Sequence, residues 1–247
     1  MTNNGVKFEE QIAECNNKPN LKFEPKVHSA VKVLTSFFGK KEAFHRKSVS
    51  LKGMGLPPEI KADMWLDKVG TYGTSIKLDG AIQLSSAQGA NTAKALQLCY
   101  ESIKEDLVDS ECEAIESLIH MIRELPTKMV SAPNLLKAFK RKPKDFAVAL
   151  NYDMWFKDIR PVINAYMIQV FDEIPQFKLA VVEEMLTGRL QFAHKTIGVA
   201  DYILTPNYCG YIDKKYVQKV AACVKIDVRG KSRGGITAAV VRFDAKA

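Results

Sequence analysis

The sequence predicts an α+β fold, with a single compact domain over residues 27–247 and a flexible polar arm over residues 1–26. Three patterns support this prediction. Apolar and polar residues alternate along Thr74–Ser86, which is the period of a half-buried strand. Apolar residues then recur at helical spacing as far as Pro126, which predicts several amphipathic helices. Near the C-terminus, two alternating segments flank a glycine-rich turn, which predicts a β-hairpin.

The composition bounds the class of protein. A chain of 247 residues with 47% hydrophobic residues is large enough to bury a core. Its apolar runs are too short to span a membrane, and its first residues lack the apolar centre of a signal peptide. The net charge of +8 predicts an anionic partner, such as nucleic acid, acidic lipid or an acidic protein. Any membrane contact is therefore expected to be peripheral.

The N-terminal region is rich in asparagine, lysine, glutamate and proline. This composition favours a mobile arm over residues 1–26, with at most a short helical turn at Phe8–Cys15. The following segment, Lys26–Phe38, fits either a strand or a short helix that ends at Gly39.

A basic and aromatic patch comes next. Its cations are Lys40, Lys41, Arg46 and Lys47, and its rings are Phe37, Phe38 and Phe44. One interpretation is phosphate binding beside a ring that stacks on a base or inserts into lipid. The other is that the phenylalanines belong to the core and the lysines are solvated.

The central segment, Gly73–Pro126, predicts an extended strand unit that is bent or bulged at Gly80 and leads into two helices. Residues 88–125 contain eight acidic and three basic residues. Carboxylates such as Glu105, Asp106 and Asp109 fit either a metal or acid pair, or a solvated loop between helices. We interpret the segment as scaffold that positions the basic blocks on either side of it.

The most concentrated charge lies between residues 126 and 144, which contain six basic residues and no acidic ones. Its dense part, KAFKRKPK, matches either a polyanion-binding patch or a nuclear import signal at Lys140, Arg141 and Lys142. Several cations within one Debye length add their potentials at a phosphate or an anionic head group. Leu135, Leu136 and Phe139 add a small apolar face that suits a membrane surface equally well.

The C-terminal region predicts a hairpin with a cationic tip. Val220 to Val228 alternate as a strand, residues 229–235 form a basic glycine-rich turn, and ITAAVVRF returns as the second strand. Such a turn suits phosphate, although it also fits an ordinary hairpin. Together the three blocks predict binding of RNA or acidic lipid by Lys40, Lys41, Arg46, Lys47, Lys137, Lys140, Arg141, Lys142, Lys144, Arg229, Lys231 and Arg233.

The sequence contains no convincing catalytic constellation and no metal-binding pattern. The four histidines share no metal-ligand spacing with one another or with cysteine, and HExxH and GxGxxG do not occur. We therefore predict no enzymatic activity, no cofactor and no metal. The five cysteines are scattered and odd in number, which predicts reduced thiols.

The segment SIKLDGAIQLSS, followed by a helix over Asn91–Leu107, resembles the start of the globular core in the matrix proteins of plant-infecting, nucleus-replicating rhabdoviruses. The chain is also similar to them in size, basicity, polar N-terminal arm and α+β body. It departs from the animal-virus pattern at Pro57, because the PPxY adaptor motif is absent.

This resemblance implies a non-enzymatic viral structural protein that self-associates as a homo-oligomer. It would bind and condense the viral nucleocapsid or RNA and link it to anionic membrane. It would occur in the virion, and in the host nucleus or cytoplasm at the membrane periphery, with a nuclear import receptor as a further partner. The alternatives are an RNA-binding nucleocapsid protein of a negative-strand RNA virus, and a host-type enzyme without a recognisable motif.

Overall fold

The structure, a computed structural model, describes residues 4–55, 60–77, 82–141 and 143–245. The chain divides into two compact units. Unit I consists of Met1–Ile82, Val182–Cys223 and Ala245–Ala247, and unit II consists of Gln83–Val181 and Val224–Asp244.

Helices and strands alternate irregularly along the chain. The α-helices of the described residues are α1 (Asn4–Asn17), α2 (Pro25–Phe38), α3 (Gly89–Ile103), α4 (Asp109–Arg123), α5 (Leu135–Arg141), α6 (Pro143–Ala147), α7 (Tyr152–Met154), α8 (Arg160–Glu173), α9 (Pro175–Thr187) and α10 (Lys214–Cys223). A π-helical turn, Trp155–Ile159, joins α7 to α8. The strands are β1 (Ala43–His45), β2 (Met64–Leu66), β3 (Thr74–Ile76), β4 (Ile82–Gln88), β5 (Met129–Val130), β6 (Leu150–Asn151), β7 (Tyr202–Leu204), β8 (Cys209–Tyr211), β9 (Val224–Arg233) and β10 (Ile236–Ala245).

Unit I is built on a mixed sheet of order β1-β2-β3-β7-β8, in which only the β3–β7 pair is parallel. Residues of α1 and α2, such as Phe8 and Leu34, form one buried cluster with Met64 and Leu66 of β2. Trp65 belongs to a second cluster. Because successive residues of a strand point to opposite faces, burial of both faces explains why β2 is apolar at every position.

Unit II contains a sheet of order β4-β10-β5-β6, with β9 paired to β10. Strand β10 is antiparallel to β5, and β5 is parallel to β6. Helices α3 and α4 pack so closely that a Cβ atom at Gly89 would lie only 2.2 Å from the carbonyl oxygen of Ile122. Only glycine allows this approach of the two helices.

The α+β prediction is confirmed by helices, mixed sheets and a C-terminal strand pair. The alternating segment Thr74–Ser86 is divided between β3 and β4, which belong to different sheets. The predicted bend at Gly80 lies outside the described residues. The ambiguous segment before Gly39 is helix α2.

The prediction of a flexible arm is wrong for Asn4–Asn17, which form α1. Phe8 and Ile12 share a helix face and are buried in unit I. Asn17 contacts β1, where its side chain accepts a hydrogen bond from the amide of Ala43 at 2.8 Å and donates to the carbonyl of Ala43 at 2.7 Å. Composition alone favours asparagine as a turn former, although the side-chain amide of Asn17 here binds a strand.

The predicted first hairpin strand begins too early, because residues 220–223 belong to α10. Val217, Val220 and Ala221 are buried at helical spacing, and the Asp213 carboxylate accepts a hydrogen bond from the amide of Tyr216 at 2.7 Å. The strand begins at Val224, so the hairpin itself is confirmed with a shifted start.

Candidate polyanion-binding surface

The basic block at residues 40–47 lies in unit I. Its first two lysines, Lys40 and Lys41, differ in environment. Lys40 is exposed. Lys41 lies over the ring of Tyr72, with its Nζ 5.2 Å from the ring centroid, and its ammonium is 4.0 Å from the Asp67 carboxylate. Lys41 therefore has partners within the fold.

Arg46 belongs to an ion-pair network inside unit I. Its guanidinium contacts Glu9 at 3.2 Å and Asp63 at 3.1 Å, and its side chain is 22% exposed. Lys47 pairs with Glu10 of α1. Because carboxylates already neutralise Arg46 and Lys47, we remove these two residues from the candidate surface. Their charges attach α1 to the turn that follows β1, and Arg46 also binds Asp63, the residue before β2.

The described residues of the basic tract at 137–144 belong to α5 and α6 of unit II. Successive residues of a helix are rotated by about 100°. Ala138 is buried. The exposed apolar side chains, which share one sector of α5, are Leu135, Leu136 and Phe139. The cations, which share the adjoining sector, are Lys137, Lys140 and Arg141. Helix α5 therefore separates apolar from cationic side chains along its exposed surface.

Four cations of this tract take part in no ion pair among the described residues. None of the ion pairs found among the described residues includes Lys137, Lys140, Arg141 or Lys144. All four are exposed, whereas Lys142 lies outside the described residues. The nearby Asp145 is paired with Lys128 at 2.9 Å. The positive potential of α5 and the start of α6 is thus free to act on a ligand.

The C-terminal hairpin turns at Gly234 and Gly235, whose φ angles are +66° and +89°. Two consecutive positive φ angles are typical of the type I′ turn that suits a two-residue hairpin, and glycine adopts them without strain. The prediction of a turn over residues 229–235 was therefore too long, since β9 continues to Arg233. Gly-Gly is the sequence signal that identifies the shorter turn.

The three cations of the hairpin tip differ. Arg229 pairs with Asp227 at 2.8 Å and approaches Asp244 at 3.5 Å, and hydrogen bonding to Asp227 raises the pKa of its guanidinium. Lys231 and Arg233 are exposed and appear in none of the ion pairs among the described residues. We therefore retain Lys231 and Arg233 and remove Arg229.

The turn and α5 lie side by side in unit II. A Cβ atom at Gly235 would lie 3.0 Å from the amide nitrogen of Ala138, and one at Gly234 would lie 3.5 Å from the Arg141 guanidinium. Two blocks that are about ninety residues apart in sequence are thereby joined. We call the joint area the basic–apolar surface, which consists of Leu135, Leu136, Lys137, Phe139, Lys140, Arg141, Lys144, Lys231 and Arg233.

Two apolar residues beside this surface were not predicted. Val148 is 63% exposed and Leu150 is 53% exposed. Their exposure could not be predicted from the sequence, because the segment around them is uniformly apolar and shows neither the helical nor the strand period. The separation of apolar and cationic side chains on α5, by contrast, follows from their spacing in the sequence.

No group of three or more metal-ligating side chains occurs in the described part of the chain. The five cysteines all lie in the described part of the chain and form no disulfide there. No helix in the described ranges has the length and hydropathy needed to cross a membrane.

Glu184 is the most deeply buried carboxylate of unit I, and its role is structural. Its carboxylate accepts hydrogen bonds from the amides of Leu190 at 2.7 Å and Gln191 at 3.0 Å, which holds the turn after α9. Burial raises the pKa of Glu184, although the two amides and Lys61 oppose this effect.

Glu184 is expected to make the stability of unit I depend on pH. A carboxyl whose pKa is raised on folding stabilises the fold most below its unfolded pKa, near 4.5, and this contribution is lost as the pH rises through the folded value. We expect the unfolding free energy of the wild type, relative to that of Glu184→Gln, to decrease from pH 4.5 upward. Urea titrations of both proteins at each pH measure this difference, and a difference that increases with pH would contradict the assignment.

Comparison of the chain with models of protein families, with curated proteins and with solved structures found no match.

Proposed function

We propose that this chain is a non-enzymatic structural protein of the matrix type, which attaches peripherally to anionic membrane through the basic–apolar surface of unit II. In this role it self-associates, binds and condenses a viral nucleocapsid and links it to the membrane. The proposal rests on one observation above the others, which is the division of α5 into an apolar sector and a cationic sector.

This division matches the physical requirements of a membrane surface. Leu136 is 66% exposed and Phe139 is 55% exposed, so both can enter the boundary between head groups and acyl chains without rearrangement. The cations beside them remain at the level of the phosphates. Each basic residue near an anionic leaflet contributes about 1 kcal/mol, and a few buried apolar side chains add to this attraction. Neither contribution requires a deep pocket.

A second candidate function is RNA binding, as in a nucleocapsid protein. It is favoured by exposed rings in unit I. Phe37 and Tyr211, which are 50% and 47% exposed, both contact the ring of Tyr202, at centroid distances of 6.1 and 5.4 Å. Exposed rings provide stacking surfaces for bases. The apolar residues of unit II are mostly aliphatic, which suits lipid better than bases.

A binding experiment separates the two functions. The full chain is mixed with vesicles of phosphatidylcholine, with vesicles that also contain phosphatidylserine, and with single-stranded oligouridylate, at about 50 to 200 mM salt. We expect sedimentation with the phosphatidylserine vesicles alone, weakened by salt but not abolished, because Leu136 and Phe139 contribute independently of charge. RNA binding without vesicle binding would overturn the matrix proposal in favour of the nucleocapsid one.

Two further parts of the proposal concern other partners. Self-association would use the acidic ends of α3 and α4, where Glu105, Asp106 and Asp109 are exposed beside Val108.

Nuclear import would use Lys140 and Arg141 on α5, together with Lys142, as the ligands of an import receptor. Both rest on charge and exposure, and an import receptor and a membrane would compete for the same helix.

A further inference from the structure

An apolar cavity of about 210 Å³ lies in unit II beside α5. Its walls come from β5, the turn before α5, α5 itself, α6 and β6. The lining residues are Val130, Ala132, Leu135, Phe146, Ala149, Leu150 and Asn151. This volume equals that of about seven water molecules, so it can hold part of a chain but not a whole lipid.

Three polar groups around the cavity already have hydrogen-bond partners within the fold. The Asn151 side chain accepts a hydrogen bond from the amide of Met154 at 3.1 Å. The amide of Ala132 donates to the Asp153 carboxylate at 3.0 Å, and the amide of Leu150 donates to the carbonyl of Lys128 at 3.0 Å. A polar ligand would therefore find few free partners, whereas a hydrocarbon needs none.

The rim of the cavity is exposed and continuous with the basic–apolar surface. Leu135 and Leu150, which line it, are 47% and 53% exposed. Phe146, another lining residue, contacts the exposed Phe139 at a ring distance of 5.6 Å. Leu135 is also the first residue of α5, so the cavity begins at the helix that carries Lys137, Lys140 and Arg141.

We propose that this cavity takes up the end of one acyl chain of an anionic phospholipid, while the cations of α5 hold its phosphate. This inference rests on the proposed membrane attachment and extends it from a surface to the binding of a single lipid molecule. Charge complementarity selects an anionic phospholipid over a neutral one, because Lys137, Lys140 and Arg141, on the helix that begins at the rim, have no carboxylate partners among the described residues. The apolar lining selects a hydrocarbon chain over a phosphate alone.

The test compares a whole lipid with ligands that contain only one of its parts. The full chain is titrated calorimetrically with dihexanoyl-phosphatidylserine in its monomeric range, with glycerophosphoserine, which has no acyl chains, and with hexanol, which has a chain of the same length and no charge. We expect the short-chain lipid to bind at least tenfold more tightly than either of the other two ligands. Equal affinity for the lipid and glycerophosphoserine would overturn the acyl-chain site, and equal affinity for the lipid and hexanol would overturn the role of the cations.

Substitutions that fill the cavity test the acyl-chain site in a second way, by changing the protein and not the ligand. Ala149→Phe places a ring inside the cavity, and Ala132→Phe fills it from another wall. The matched control, Val148→Phe, adds the same ring at an exposed neighbour that does not line the cavity. We expect a folded cavity-filling variant to lose the tenfold preference for the short-chain lipid, and the control to keep it. Undiminished preference in a folded variant would overturn the inference.

Vesicle binding distinguishes failure of this inference from failure of the membrane proposal. Suppose that phosphatidylserine vesicles bind the wild type, but the chain does not prefer the short-chain lipid over the other ligands. Membrane attachment through the basic–apolar surface is then supported, and the acyl-chain site is overturned. If those vesicles do not bind at low salt, both the membrane proposal and the acyl-chain site are overturned.

Discussion

Replacement of Asp63 by alanine is expected to lower the unfolding free energy of unit I by about 3–5 kcal/mol. Asp63 is 4% exposed, and its carboxylate accepts hydrogen bonds from the amide of Ile76 at 2.8 Å and the hydroxyl of Ser75 at 3.2 Å. It also pairs with Arg46 at 3.1 Å and lies 3.7 Å from the Lys77 ammonium. Alanine would leave buried donors without acceptors and Arg46 with one carboxylate fewer.

The change is measured by urea unfolding of a Trp155→Phe background, in which Trp65 of unit I is the remaining tryptophan. The matched control is Glu10→Ala, which removes a carboxylate from an ion pair whose side chains are 49% and 40% exposed. We expect the control to cost at most about 1 kcal/mol. A similar small cost for Asp63→Ala would show that the network is not a major support of unit I.

The combined substitution of Lys137, Lys140 and Arg141 by alanine is expected to weaken binding to phosphatidylserine vesicles about 100-fold. Each lost cation removes about 1 kcal/mol of attraction to the anionic leaflet, and about 1.4 kcal/mol corresponds to a tenfold change in affinity. These residues belong to none of the ion pairs among the described residues, so the folded state should tolerate the change. Co-sedimentation at low salt measures the partition coefficient.

The control for this triple variant removes the same charge elsewhere. Lys214, Lys215 and Lys219 are exposed on α10 of unit I, and their combined replacement by alanine changes the net charge equally. We expect the control to weaken vesicle binding by less than tenfold. Equal losses for both triple variants would mean that net charge, rather than the arrangement on α5, determines membrane attachment.

The sequence predicted the parts of the fold that depend on local periodicity. The helical spacing of residues 96–125 and the alternation that ends in β10 are local signals, and both correspond to elements of the structure. Residues 220–223 were assigned to a strand because valine and alanine fit either period over a short distance. The helix prevailed because Val217, four residues before Ala221, is buried on the same face as that residue.

The candidate site was predicted as sequence blocks, whereas its composition depends on tertiary contacts. Arg46 has the same character in the sequence as Arg141, and nothing local distinguishes the two. The carboxylate partners of Arg46, Glu9 and Asp63, are distant in the chain, so its neutralisation could not be foreseen. The main partner of Arg229, by contrast, is Asp227, which lies only two residues away. The proximity of Gly235 to Ala138 is equally non-local, and it is this contact that joins two predicted blocks into one surface.

The contact between Asn17 and Ala43 has a consequence for how sheets of different copies meet. Strand β1 is at the end of its sheet, where backbone groups without partners invite another chain to add a strand. The Asn17 side chain occupies both the amide and the carbonyl of Ala43, as a neighbouring strand would. Helix α1 therefore closes this open edge of unit I, so we expect that two copies of the protein would not join their sheets through β1.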